Sequence, residues 1–78
     1  MIKGKYEIIF MRHAILRAIE RNITPDVVEN AVMTGSFHRF GKNRMKIIKK
    51  LRKMQIVCID EIIGNTIKIV SIARRARR

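Results

Sequence analysis

The sequence predicts a two-layer α+β domain in the order β-α-α-β-β-β-β, a helix hairpin packed on a mostly antiparallel sheet. Three observations carry that expectation. Apolar residues recur at helical spacing only before Gly35, and after it they follow strand-like runs separated by turn residues. Thr24-Pro25-Asp26 is strong helix-start chemistry in the middle of the helical half. A length of 78 residues supports one marginal core and no second domain.

Tyr6-Glu7-Ile8-Ile9-Phe10 is short, β-branched and aromatic, and reads as the first strand. From Met11 to Arg21 the residues Ala14, Ile15, Ala18 and Ile19 mark one face of a helix, with His13, Arg17 and Arg21 in a row at i, i+4 and i+8 on another. The second helix starts after Thr24, whose hydroxyl suits the N-cap. Pro25 sits at the first helical position, and Ile23 and Val28 are spaced as a hydrophobic staple. Gly35 is placed to end that helix in a left-handed conformation. Ser36 to Phe40, Arg44 to Leu51, Gln55 to Ile63 and Thr66 to Ala73 then read as strands, with turns at Gly41-Lys42-Asn43 and Gly64-Asn65. The last two strands are apolar enough to be central. Residues 74–78 read as a basic C-terminal tail.

Lysine and arginine total 18 against six acids, a formal net charge of +12, and the positives crowd the stretches Arg44 to Lys53 and Arg74 to Arg78. A single-signed distribution of this kind focuses potential onto a polyanion, and nucleic acid is the leading partner. A hydrophobic content of 47% excludes a disordered basic arm. One tyrosine, three phenylalanines and no tryptophan cannot build an aromatic base-stacking platform, which leaves phosphate and backbone contacts. Cys58 is alone, in an apolar run, and reads as a buried small hydrophobe in a reducing compartment. No Cys/His spacing supports a metal, and no cofactor is expected. No apolar segment approaches the roughly 20 residues of a membrane span, and the stretch following Met1 to Lys5 is too short for a secretory signal, so the expected location is the cytoplasm, with no membrane contact.

The segment His13-Ala14-x-x-Arg17-x-x-Glu20-Arg21-x-Ile23-Thr24-x-x-x-Val28-x-x-Ala31-x-x-x-Gly35 resembles the helical half of small domains placed in the RelE/ParE toxin superfamily. Ile67-Lys68-Ile69-Val70-Ser71-Ile72-Ala73-Arg74-Arg75-Ala76 resembles the last strand and basic segment of BrnT-type toxins. The resemblance implies a RelE-like fold whose sheet cradles RNA. It also implies the toxin of a type II toxin-antitoxin pair, acting as a metal-independent RNA endonuclease or translation inhibitor on messenger RNA, ribosome-bound in many such toxins, and silenced by an acidic antitoxin. Such chemistry must activate a ribose 2′-OH, neutralise a phosphorane and protonate the leaving oxygen. Carried onto this chain, the catalytic candidates are His13, Arg17, Arg44, Lys46 and Arg74, with a histidine for proton transfer and Arg44, Lys46 and Arg74 to stabilise the phosphate. No tyrosine follows the last strand, a departure from the active pattern that supports the alternative, a non-catalytic nucleic-acid-binding module of the same fold.

Under period-two alternation Arg44, Lys46, Lys50 and, beyond the run, Arg52 share one side, with Lys49 and Lys53 alongside. With Arg75, Arg77 and Arg78, the residues Lys49, Lys50, Arg52 and Lys53 are the nucleic-acid-binding candidates. Each has a plainer reading. His13 packs at the start of its helix against a carbonyl, Arg17 and Arg21 pair with Glu20, Asp26 or Glu29 for ~0.3–0.5 kcal/mol each, and the stripe is a solvated edge. His38, beside Phe37 and Arg39, faces either a cleft or solvent. Asp60 and Glu61 point to opposite faces and form no carboxylate pair. One of them pairs with a base across the sheet and the other is solvated. A third reading gives the positive charge to a protein partner with an acidic helix.

Overall fold

Six strands and two helices form between Met1 and Ala76, the residues that the structure, a computed structural model, describes. They are β1 (Ile2–Lys3), β2 (Tyr6–Phe10), α1 (Arg12–Glu20), α2 (Pro25–Thr34), β3 (Ser36–Phe40), β4 (Arg44–Lys50), β5 (Met54–Ile63) and β6 (Thr66–Ala76). The extra element relative to the sequence expectation is β1, a two-residue strand folded back on β2 through Gly4-Lys5 with Gly4 at φ +59°. Gly64 repeats that geometry at the β5–β6 turn, also at φ +59°, where glycine alone avoids the steric penalty.

Local chemistry accounts for both helices. In α1, Ala14 and Ala18 are buried and small, which lets the helix lie close to the sheet. Its end is a Schellman motif: the Asn22 N–H donates to the Ile19 carbonyl, the Ile23 N–H donates to the Ala18 carbonyl at 2.8 Å, and Asn22 takes the left-handed conformation at φ 61°. In α2, Pro25 occupies the first position, and the Thr24 hydroxyl accepts from the Val27 N–H at 3.4 Å. Ile23 and Val28 are buried together, as a staple requires.

Gly35 does not end α2 in a left-handed conformation, because its backbone is extended at φ −75° and ψ 168°. Its lack of a side chain answers a close approach instead. A Cβ there would stand 2.4 Å from the Ala31 carbonyl oxygen and 2.9 Å from that of Ile48. The tight passage lets the chain leave α2 and enter β3 directly over β4.

The sheet order is β1-β2-β6-β5-β4-β3, with β2 and β6 parallel and every other pair antiparallel. β5 and β6 are central, as their apolar runs predict. Both helices cover one face, where Ile8, Met45, Ile47, Ile56, Cys58, Ile62, Ile67, Ile69 and Ile72 meet Ala14, Ala18, Val28, Ala31 and Val32. Each fully buried isoleucine contributes about 1.5–3 kcal/mol relative to exposure.

A bulge sets the phase of β6. Ile59 pairs with Ser71 but Asp60 pairs with Ile69, so Val70 is an extra residue. Ile67 and Ile69 point inward before it, and Ile72 points inward after it. β6 also continues to Ala76, so Arg74 and Arg75, expected in a tail, are strand residues paired with Ile56 and Gln55.

The sheet curls toward the helices. Lys3 on one edge strand donates to the Val32 carbonyl at 2.9 Å and lies 4.3 Å from the ring centre of Phe37 on the opposite edge strand. Five inter-strand gaps of a flat sheet would span about 24 Å at ~4.8 Å each, beyond the reach of those two side chains. Curling leaves the uncovered face on the outside, so it forms no cradle of the kind the resemblance implies.

Gly35→Ala is expected to lower stability by about 1–3 kcal/mol, since both clashing atoms are backbone. Urea unfolding followed by circular dichroism checks it, and an unchanged midpoint would show that α2 shifts to admit the methyl group.

Candidate nucleic-acid interface

Strand register assigns the side chains of the uncovered face. One row across the strands runs Phe40, Arg44, Glu61, Lys68 and Ile9, and the next runs His38, Lys46, Ile59 and Ser71. Beyond them come Ser36, Ile48, Val57 and Ala73, and then Lys50, Gln55 and Arg75. Among the described residues, five full cations therefore share this face: Arg44, Lys46, Lys50, Lys68 and Arg75. The acids on its paired positions are Glu61, flanked by Arg44 and Lys68, and Glu7, opposite Thr66. Between the charges, Val57 is only 4% exposed and Ile48 and Ile59 are half-buried, so an apolar floor carries the cations. Phe40 adds an aromatic ring with the Lys46 ammonium 5.9 Å from its centre.

The expected catalytic set is divided by the sheet. Arg44 and Lys46 are on the uncovered face, whereas His13 and Arg17 are exposed on α1, in the layer packed against the other face. Arg74 pairs with Ile56 and so also faces the helix side. It lies two residues past Ile72, whose carbonyl accepts from the Arg21 guanidinium at 2.8 Å. That bond fastens the end of α1 to β6, so Arg21 is a structural clamp rather than one member of a helix-surface ion pair. Among the binding candidates, Lys50 and Arg75 reach the uncovered face, and Lys49 points to the helix side. Arg52 and Lys53 form the β4–β5 turn, closed by the Leu51 N–H donating to the Met54 carbonyl at 2.8 Å, rather than extending the stripe. Arg77 and Arg78 lie outside the described residues.

Lys68 was not legible as a site residue. Its place beside Glu61 depends on the two-residue Gly64-Asn65 turn, and counting outward from that turn is the signal that finds it. His38 resolves to the uncovered face, opposite Lys46, and is exposed.

Asp60 and Glu61 do point to opposite faces, but neither expectation of pairing nor of solvation describes Asp60. It is fully buried on the helix side, opposite Met45 and Ile69, and among the described residues neither carboxyl oxygen has a hydrogen-bond partner. Burial pushes its carboxyl up to about 8 from 3.8. Cys58, two residues away on the same face and buried, is pushed up to about 12 by burial, with the Asp60 charge adding to it, which suits an unreactive core thiol. Desolvation also lowers the Lys3 ammonium from its ordinary value.

Among the described residues no group of three His, Cys, Asp or Glu side chains could hold a metal ion, and no helix is long and apolar enough to cross a membrane. No protein-family model, curated protein or solved structure matches the chain.

The Asp60 carboxyl makes stability depend on pH. Between about pH 4 and 8 the unfolded chain releases a proton that the folded chain keeps, so stability falls as pH rises through that window and levels off above it. Asp60→Asn removes this dependence. Thermal unfolding is expected to show the variant gaining on the wild type from pH 4 to pH 8, with the two closest at pH 4, and a pH-independent difference would contradict the assignment.

Proposed function

We propose that the chain binds RNA across the outward face of its sheet, as a non-catalytic module. The observation that supports this most is the set of five cations, Arg44, Lys46, Lys50, Lys68 and Arg75, which strand register places on one uncovered face above an apolar floor. The strands fix the backbone spacing of these cations, and each phosphate contact releases condensed counterions. The few aromatic side chains make the contact one of charge and backbone shape rather than base stacking.

The RelE-type ribonuclease silenced by an acidic antitoxin is the second reading, and it draws on the segment His13 to Gly35, which supplies both helices. Cleavage needs a base, a phosphate clamp and an acid around one phosphate. With His13 and Arg17 on the helix layer and Arg44 and Lys46 across the sheet, the proposed groups do not converge on one phosphate, and binding without cutting is the better account.

Fluorescence anisotropy with a labelled single-stranded oligoribonucleotide, over a range of salt, tests the proposal. Wild-type affinity is expected to fall steeply with salt, and Arg44→Ala/Lys46→Ala to weaken binding and flatten the log–log slope by about 0.7 for every phosphate that the variant no longer neutralises. The RNA should remain intact on a denaturing gel. Equal binding by the double variant would reject the face, and fragmentation relieved by Arg44→Ala would restore the ribonuclease reading.

A further inference from the structure

The uncovered face ends in a notch at one corner of the sheet. β3 begins at Ser36, opposite Ile48, so β4 runs on through Lys49 and Lys50 with no strand of the described residues beside it on that side. The chain arriving from α2 passes through Gly35 against the Ile48 carbonyl and walls off the corner. A cavity of about 440 Å³ occupies it, lined by Ser36, His38, Ile48, Lys49, Lys50 and Gln55 together with the end of α2.

Adjacent strand residues point to opposite faces, so Lys49 reaches the cavity from the helix side and Lys50 from the uncovered side. Two lysines and a histidine thus line one space, with no carboxylate among its lining residues. The end of a helix is the wrong pole for an anion. Here the Ala31 carbonyl accepts from the Gly35 N–H at 2.8 Å and the Asn30 carbonyl from the Thr34 hydroxyl at 2.7 Å, so part of that pole is already satisfied. Inorganic phosphate would leave most of the space empty, whereas small-molecule sites span about 300–1,000 Å³, which suits a nucleotide.

From this geometry we infer that the notch seats the phosphorylated terminal nucleotide of an RNA strand, a deepening that rests on the uncovered face being the RNA-binding surface. A terminal phosphate carries about −1.5 to −2 charges at pH 7, against −1 for an internal diester, and two lysines converging from opposite faces favour the former. Ser36 and His38 among the lining residues would donate to its oxygens, Ile48 would lie against the sugar or base, and Gln55 would supply a polar group for the base edge. His38, Ile48, Lys50 and Gln55 also belong to the uncovered face, so the notch is continuous with the surface that would hold the rest of the strand.

Three oligoribonucleotides of one sequence, bearing a 5′-phosphate, a 3′-phosphate or hydroxyls at both ends, test the inference by competition. One phosphorylated form is expected to bind about tenfold more tightly than the hydroxyl form, and Lys49→Gln to remove that preference. In parallel, adenosine 5′-monophosphate titrated into the labelled wild type should shift the amide resonances of Ser36, His38 and Gln55, a readout independent of whether the variant folds. Equal binding of all three oligonucleotides would overturn the inference while the face reading stands. Failure of every oligonucleotide to bind would overturn both. Shifts by the monophosphate without an end preference would assign the notch to a free nucleotide and overturn the RNA-end assignment, and shifts confined to other residues would overturn the notch itself.

Discussion

Between Ile59 and Asp60 β5 advances by one residue while β6 advances by two, and the position of every later side chain in β6 depends on that mismatch. Without Val70 as the extra residue, alternation would turn Ile72 outward and Ser71, Ala73 and Arg75 to the helix side. With it, Ile72 packs beneath α1 and Arg75 joins the cationic face. Other features meet at the same place. β2 stops pairing at Phe10, opposite Ile69, as the Met11 N–H donates to the Ile69 carbonyl, and Arg21 takes the Ile72 carbonyl just past the bulge. A bulge adds twist and bend to its strand, and this one sits where the parallel partner departs and α1 is fastened.

The curl of the sheet is a second consequence of how the strands are joined. β6 lies between β2 and β5, so the chain's first strands reach one edge while β3 forms the other, and α2 lies between them on the helix side. Lys3 ties the two edges through the Val32 carbonyl and the Phe37 ring. A cation with a carbonyl partner and an aromatic face keeps its interactions while partly desolvated. The same curl turns the opposite face outward as a convex surface, so the cations on it stand clear of the helices.

Charge is handled differently on the two faces. Outside, Glu61 is set between Arg44 and Lys68 and tempers their mutual repulsion at a net charge of +12. Inside, Asp60 is a carboxyl in an aliphatic core with no partner, and it stays protonated near neutrality because ionising there would forgo hydration without any compensating bond. Asp60 is a destabilising residue that the core tolerates, and it lies on the side of the sheet away from the cationic face.

The elements were legible because their causes are local. Thr24-Pro25 and the Ile23/Val28 staple start α2 within a few residues, the two-residue Gly64-Asn65 turn joins β5 to β6, and period-two runs mark the strands. Arg44, Lys46 and Lys50 could be assigned to one side from alternation alone. What the residues could not show depends on partners distant in the chain. The phase change of β6 was hinted at only by isoleucines at 67 and 69 giving way to 72. The separation of His13 and Arg17 from Arg44, the burial of Asp60, the convexity of the face and the corner beyond Ser36 all follow from which strand lies beside which. Gly35 shows the division most plainly: its position after α2 was readable from sequence, but the need for glycine came from the Ile48 carbonyl of another strand, a close approach that exists only once the sheet is assembled.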